Sequence, residues 1–212
     1  DNATTNLSES RNHNHSLTKQ LYANYKLDIK KHSIGVMAGY EDYAYKWENL
    51  GASRTNYTLN NYPYLDLGPK DYQFNSGSAG HNAYRSVFGR IMYSWANRYM
   101  LQANVRSDGS SRFADGHRWG LFPSFSAGWN VSREPFWRDL EHIVNNFKIR
   151  GSWGELGNCN TTAFYPFYQT MPTGVENSGW LINGKKPNTA SAPGIVSAEM
   201  TWETVRSWNI GF

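Results

Sequence analysis

Cysteine is nearly absent from this chain. Cys159 stands alone, so no internal disulfide framework exists, and with no Cys/His constellation around it the thiol reads as a loop side chain rather than a nucleophile. No stretch approaches the 18 or more apolar residues of a membrane helix, and the opening DNATTNLSES does not read as a signal peptide. Charge of one sign is also scarce: 21 Lys and Arg against 17 Asp and Glu leave a formal charge of +4. The basic residues are scattered, with no stripe or motif for nucleic acid. No G-x-S-x-G, metal triad or juxtaposed carboxylate pair appears, so the chain is not expected to be an enzyme or to need a cofactor. His13 and His15 fall two apart, on one face of a strand, but lack a third ligand nearby, and no metal site is expected. The missing apolar helix does not exclude a membrane, because spanning strands give a far weaker signal.

What is abundant is aromatic. Nine Trp and fourteen Tyr sit in a chain of mean hydropathy −0.68. Apolar surface is therefore spread thinly along strands, and Trp and Tyr favour the boundary between water and hydrocarbon. Period-two alternation recurs along the sequence. Leu21, Ala23, Tyr25, Leu27 and Ile29 share one face, as do Ile34, Val36, Ala38 and Tyr40 after a turn near Lys31. Further alternating runs cover 87–95, 101–106, 119–132 and 147–154, and the last runs from 201 to 212, with Trp202, Trp208, Ile210 and Phe212 on its apolar face. Phe122 breaks the pattern by falling on a polar face, and Arg206 by falling on an apolar one, which predicts an interfacial position or a bulge there. A hydrophilic knot spans Ser107–Arg118, and long loops are expected near 49–82 and 158–200.

This predicts an all-β chain of about seven antiparallel strands. Alternation alone fits a soluble sandwich, in which case the chain would be a secreted soluble β-protein that binds glycans. Long strands, aromatics at strand ends, and turns short at one end and long at the other favour an antiparallel transmembrane β-barrel segment. Seven strands cannot close a barrel of even strand count, and an open edge in lipid leaves unpaired backbone groups, so a larger barrel is expected.

Three stretches carry a specific resemblance: SDGSSRFADGHRWGLFPSFSAGWNVSREPFW (107–137), FKIRGSWGELGN (147–158) and TWETVRSWNIGF (201–212). They resemble the barrel of SusC/RagA-type TonB-dependent outer-membrane transporters. The resemblance implies seven strands of a 22-stranded plugged barrel in a Gram-negative outer membrane, embedded in its lipid. It also implies a SusD-like surface lipoprotein as partner, import of oligosaccharides or peptides, and energy from a TonB–ExbB–ExbD complex acting through a plug region that these residues do not contain.

Candidate contact residues follow. Tyr62, Tyr64, Tyr72 and Phe74 in the first expected loop, with Tyr165, Tyr168 and Trp180 in the second, suit stacking on sugar rings or packing against a lid. They suit equally well the packing of their own loops. Arg90, Arg106, Lys148 and Arg150 fall on the polar, lumen-facing side and are candidates for contact with plug or substrate. The 107–118 knot reads either as a ligand-contacting loop or as a self-satisfied turn in which Asp108 accepts from backbone N–H and from Arg112.

Overall fold

The computed structural model describes residues 5–58, 61–62, 64–174 and 179–212. Seven strands form one sheet, in the order β1 (Asn6–Ile29), β2 (His32–Thr55), β3 (Gln73–Trp95), β4 (Tyr99–Ser110), β5 (Trp119–Asn130), β6 (Lys148–Asn158) and β9 (Glu203–Gly211). Two-residue strands β7 (Thr173–Gly174) and β8 (Thr189–Ala190) pair with each other inside the last long excursion. Among the described residues no helix is long and apolar enough to cross a membrane, which says nothing about crossing by strands.

The loop boundaries differ from those expected. β2 continues to Thr55 and β3 begins at Gln73, so the first excursion is 56–72 rather than 49–82, and Phe74 lies on a strand. The second runs from 159 to 202. Positions 59–60, 63 and 175–178 of these loops lie outside the described residues. β1 and β2 are each 24 residues long, on the order of 80 Å at about 3.3 Å per residue. Crossing a bilayer takes about 9–11 tilted residues. The surplus stretches, such as NLSESRNHNHSLT at 6–18, are polar on both faces, so they carry no period-two signal although their backbones pair.

The chain divides into two compact units. The smaller holds residues 5–18 and 43–83. Asn56 adopts φ 62° where β2 ends, and its N–H donates to Thr5 O at 2.8 Å. Arg54 then gathers the loop by donating to Gly68 O at 2.8 Å and Asp66 O at 3.1 Å.

The larger unit holds residues 19–42 and 84–212. Its register is regular: Ile91, Ala103, Phe125, Trp153 and Trp208 lie on one continuous row across five strands, and Tyr93, Leu101, Ala127, Gly151 and Ile210 on another. Both rows face outward and are largely exposed, with Trp208 at 75% and Ile210 at 74%. The row between them is Met92, Gln102, Ser126, Ser152 and Asn209, and the row beyond is Arg90, Asn104, Ser124, Gly154 and Ser207. The turns at 30–31, 96–98 and 131–147 lie at one end of this unit, where Ala96 N–H donates to Lys31 O at 2.6 Å and Asn130 N–H to Arg98 O at 2.7 Å.

The small core lies on the inward face near the opposite end. Phe113 and Phe122 are buried and both pack on Trp202, with ring centroids 5.6 and 5.4 Å away. Trp202 was expected on the apolar outer face. It precedes β9 and turns inward, its indole N–H donating to Arg118 O at 2.8 Å. Phe122, the exception in the alternation, sits where Gly120 and Gly157 leave room: a Cβ on Gly157 would come within 2.0 Å of its ring. Gly154 and Gly157 have opposite parity, yet both lie against inward side chains of β5, Ser124 and Phe122. β5 and β6 therefore fall out of step between them, just where Pro123 has no N–H to pair. The β6–β9 register continues without an inserted residue, so Glu155 and Arg206 pair directly across at 2.6 Å. The irregularity lies on the β5 side of β6: the β5–β6 pairing ends at Ser124–Gly154, and Phe122 meets Gly157 where the register alone would set Leu156.

Candidate functional site: the inward face and the loops

The knot resolves first. β4 runs four residues into it, because Ser107–Ser110 pair with Val87, Ser86, Arg85 and Tyr84. Asp108 consequently lies on the inward face and accepts from Arg106 Nε at 2.7 and 3.0 Å, not from Arg112. Arg112 instead donates to Thr161 O at 3.1 Å and stands over the Phe164 ring at 5.0 Å. That ties the 111–118 turn to the second loop.

Among the four inward cations two are committed to the wall. Besides Asp108, Arg106 donates to Ser86 Oγ at 2.9 Å, pairs with Glu41 at 3.5 Å and covers the Phe88 ring at 5.4 Å. Phe88 lies over Gly39 much as Phe122 lies over Gly157. Arg90 donates to Asn104 Oδ1 at 2.8 Å, and Asn104 passes the ladder to Ser124 Oγ at 3.0 Å. Lys148 and Arg150 differ. Among the described residues Lys148 reaches the Met100 thioether, at 3.7 Å, and neither it nor Arg150 has an ion-pair partner. Both line a trough of about 940 Å³ on the inward face, together with Asn24, Gln102, Ser126 and Asn209. Met37, Met92 and Met100 form its softer floor, and Gly35 and Gly128 bring the backbone close. Alternation puts Met37 and Met92 on the polar face with the cations, but nothing in the sequence marked them as part of a site. Chemically, these two cations beside amide and hydroxyl groups can hold a carboxylate or a polyhydroxylated chain.

The loop aromatics belong to different units. Tyr62, Tyr64, Tyr72 and Phe74 are all exposed in the smaller unit. Tyr57 is the loop's own anchor there, donating to Leu65 O at 3.3 Å. In the larger unit Tyr165, Phe167 and Tyr168 pack as a cluster, with Phe167 and Tyr168 4.5 Å apart, while Tyr168 and Trp180 remain about two-thirds exposed, at 64% and 60%. The structure thus brings Tyr165 and Tyr168 together around Phe167. His13 and His15 lie on β1, and among the described residues no group of three or more His, Cys, Asp or Glu is placed to hold a metal. Cys159 is free and half-buried.

One acid escaped the sequence reading. Glu134, buried in the connector after β5, accepts from Tyr99 Oη at 2.7 Å, Trp129 Nε1 at 3.1 Å and Arg98 at 3.3 Å. Those hydrogen bonds, the one from Tyr99 foremost, hold its carboxyl below the ordinary value. Above it Trp95, Tyr99 and Trp129 stack at 5.7 and 6.2 Å, forming an aromatic band at the end of short turns.

Known proteins share this fold. TonB-dependent receptor SusC of Bacteroides thetaiotaomicron is 28% identical over 203 residues, which are 93% of this chain and 19% of that protein. TonB-dependent receptor P39 of Formosa agariphila is 29% identical over 216 residues, covering all of this chain and 20% of that protein. The RagAB peptide importer in its closed-closed state superposes with a TM-score of 0.80 at 20% identity, over 96% of this chain and 22% of that one. The chain thus spans about a fifth of the length of these relatives. Residues 1–212 match, from end to end, the family described as TonB dependent receptor-like, beta-barrel. With its one-sided strands, aromatic band and polar inward wall, this chain belongs to that family and is a barrel segment of the SusC/RagA type.

Proposed function

We propose that the protein carrying this chain is an outer-membrane, TonB-dependent importer of oligosaccharides or peptides, and that these residues supply part of its wall and of its substrate-facing loops. The observation that carries this reading is the division of the larger unit into an outward face of aligned apolar rows and an inward trough holding two cations that have no ion-pair partner among the described residues. A soluble protein would leave Leu121, Phe125, Trp208 and Ile210 in water, against a cost of about 25 cal/mol per Å² of apolar surface. A lipid boundary removes that cost, so the secreted glycan-binding reading is the weaker one.

In this reading the 22-stranded barrel holds a plug whose surface meets Lys148 and Arg150, and TonB–ExbB–ExbD acts on that plug from the periplasm. Tyr168 and Trp180, and in the other unit Tyr62, Tyr64, Tyr72 and Phe74, contact substrate or a SusD-like lipoprotein at the cell surface. The names of the relatives, one an importer of peptides, support the class and leave the cargo between glycan and peptide. The test is a strain lacking the full-length gene, complemented in trans, with growth measured on oligosaccharide or on peptide as sole nutrient. Loss on one and not the other names the cargo. Unaltered growth on both, or recovery of the full-length protein from the soluble secreted fraction, sinks the reading.

A further inference from the structure

The connector between β5 and β6 carries more exposed apolar surface than a turn in water needs. Within residues 135–144, Phe136 is 62% exposed and Ile143 70%, and Leu140 and Val144 are exposed as well. The segment is nevertheless well built: Pro135–Leu140 is a 3-10 helix, and Trp137 closes it by donating to Val144 O at 2.8 Å. Its other end is fixed by Glu134. The apolar side chains are thus presented on a rigid frame.

That frame is continuous with the outward face. Trp137 stacks on Phe147 at 5.3 Å and 6°, and Phe147 meets Phe212 at 6.4 Å. Phe147 shares its parity with Ile149, which pairs with Trp129, and Phe212 with Ile210, all on the side assigned to lipid. Charge does not select an anionic partner. Arg133 and Arg138 are balanced by Asp139 and Glu141, and Glu134 is already paired with Arg98. The surface fits an apolar medium edged by mixed headgroups, where aromatic and aliphatic side chains enter and charged neighbours stay in water.

From this geometry we infer that residues 135–144 are an interfacial anchor, whose Phe136, Leu140, Ile143 and Val144 lie in the periplasmic leaflet of the membrane while Asp139 and Glu141 remain in water. The inference rests on the barrel reading above for the presence of lipid. It adds a second kind of membrane contact, made in the plane of the leaflet rather than by crossing it.

The test uses the full-length protein in phosphatidylethanolamine–phosphatidylglycerol vesicles, in a Cys159→Ser background. Single cysteines at Phe136, Ile143, Glu141, Leu101 and Phe125 carry an environment-sensitive fluorophore. At Phe136→Cys and Ile143→Cys the label is expected to lose more fluorescence to shallow 5-doxyl lipid than to aqueous iodide, with blue-shifted emission and little change with salt. At Glu141→Cys the order is reversed. Iodide quenching at Ile143 as strong as at Glu141 overturns the anchor, and so does protection from both quenchers, which would place another protein segment over the connector. Leu101→Cys and Phe125→Cys separate the two readings. If they are quenched by lipid while Ile143 is not, only the anchor fails; if they too are open to iodide, the barrel reading fails and takes the anchor with it.

Discussion

Tyr99 Oη donates to Glu134 Oε1 at 2.7 Å, joining the first residue of β4 to the connector 35 positions later. Trp129 and Arg98 donate to the same carboxylate, so one buried acid fastens two turns at the same end of the sheet. Glu134→Ala leaves three donors without their acceptor and is expected to lower the urea midpoint of the detergent-solubilised protein, whereas Glu134→Gln loses less because an amide oxygen can still accept.

The pH dependence has a definite sign. The Glu134 carboxyl is held below its ordinary value by the Tyr99 and Trp129 hydrogen bonds. Its contribution to stability is therefore complete above the ordinary carboxyl range and is lost as pH falls through the depressed folded value. Wild type should lose stability on acidification more steeply than Glu134→Gln, measured as the difference of their unfolding midpoints from neutral pH downward. Parallel profiles would refute this.

Gly157→Ala should be harmful in proportion to what it meets. Its Cβ would lie 2.0 Å from the Phe122 ring, and overpacking of this kind costs about 1–3 kcal/mol. Phe122→Leu should restore part of that loss in the double variant. Gly194→Ala, where nothing lies within 4 Å, is the control and should be neutral.

Two inward arginines should behave differently. Arg106→Ala removes partners from Asp108, Ser86 and Glu41 and is expected to cost about 1–3 kcal/mol in unfolding free energy, the range for leaving a polar group without its partner. Arg150→Ala removes no such partner and should leave stability within about 0.5 kcal/mol. If its role is in the lumen, its effect appears in uptake instead.

The Glu155–Arg206 pair allows a double-mutant cycle. Arg206 is mostly exposed and Glu155 mostly covered, at 73% and 15% of their side chains. A solvent-reached pair of this kind couples by about 0.2–1 kcal/mol. A larger coupling would put the pair within the hydrocarbon.

The strands of the larger unit were legible in the sequence because one face of each is apolar and the other polar, which writes a period of two into Leu101–Val105 and Leu121–Trp129. Where both faces are polar that record vanishes, so 6–18 offered no alternating run, and 49–55 and 73–82 fell inside an expected loop although they are strand. Ser107–Ser110 looked like a turn for the same reason. Parity misplaced Trp202 because it precedes β9, beside the point where the β5–β6 pairing ends at Ser124–Gly154, a geometric event that no residue pattern announces. Glu134 was missed because a single acid in a connector carries no period at all. Its signal would have been the ring of Tyr, Trp and Arg donors, which only folding assembles.

The recess that receives Phe122 has a consequence for how the wall is put together. It is formed by backbone from β5 and β6 and closed by Trp202 from just before β9. Slipping β6 by one residue would bring Leu156 or Asn158 to the place of Gly157, and a slip of two would bring Glu155 or Cys159. Each carries a Cβ into space the ring must occupy. A hydrogen-bond ladder accepts a shifted partner almost as readily as the right one, but this recess does not. The ring therefore proofreads the alignment of three strands, and the wall can lock only when all three arrive in step.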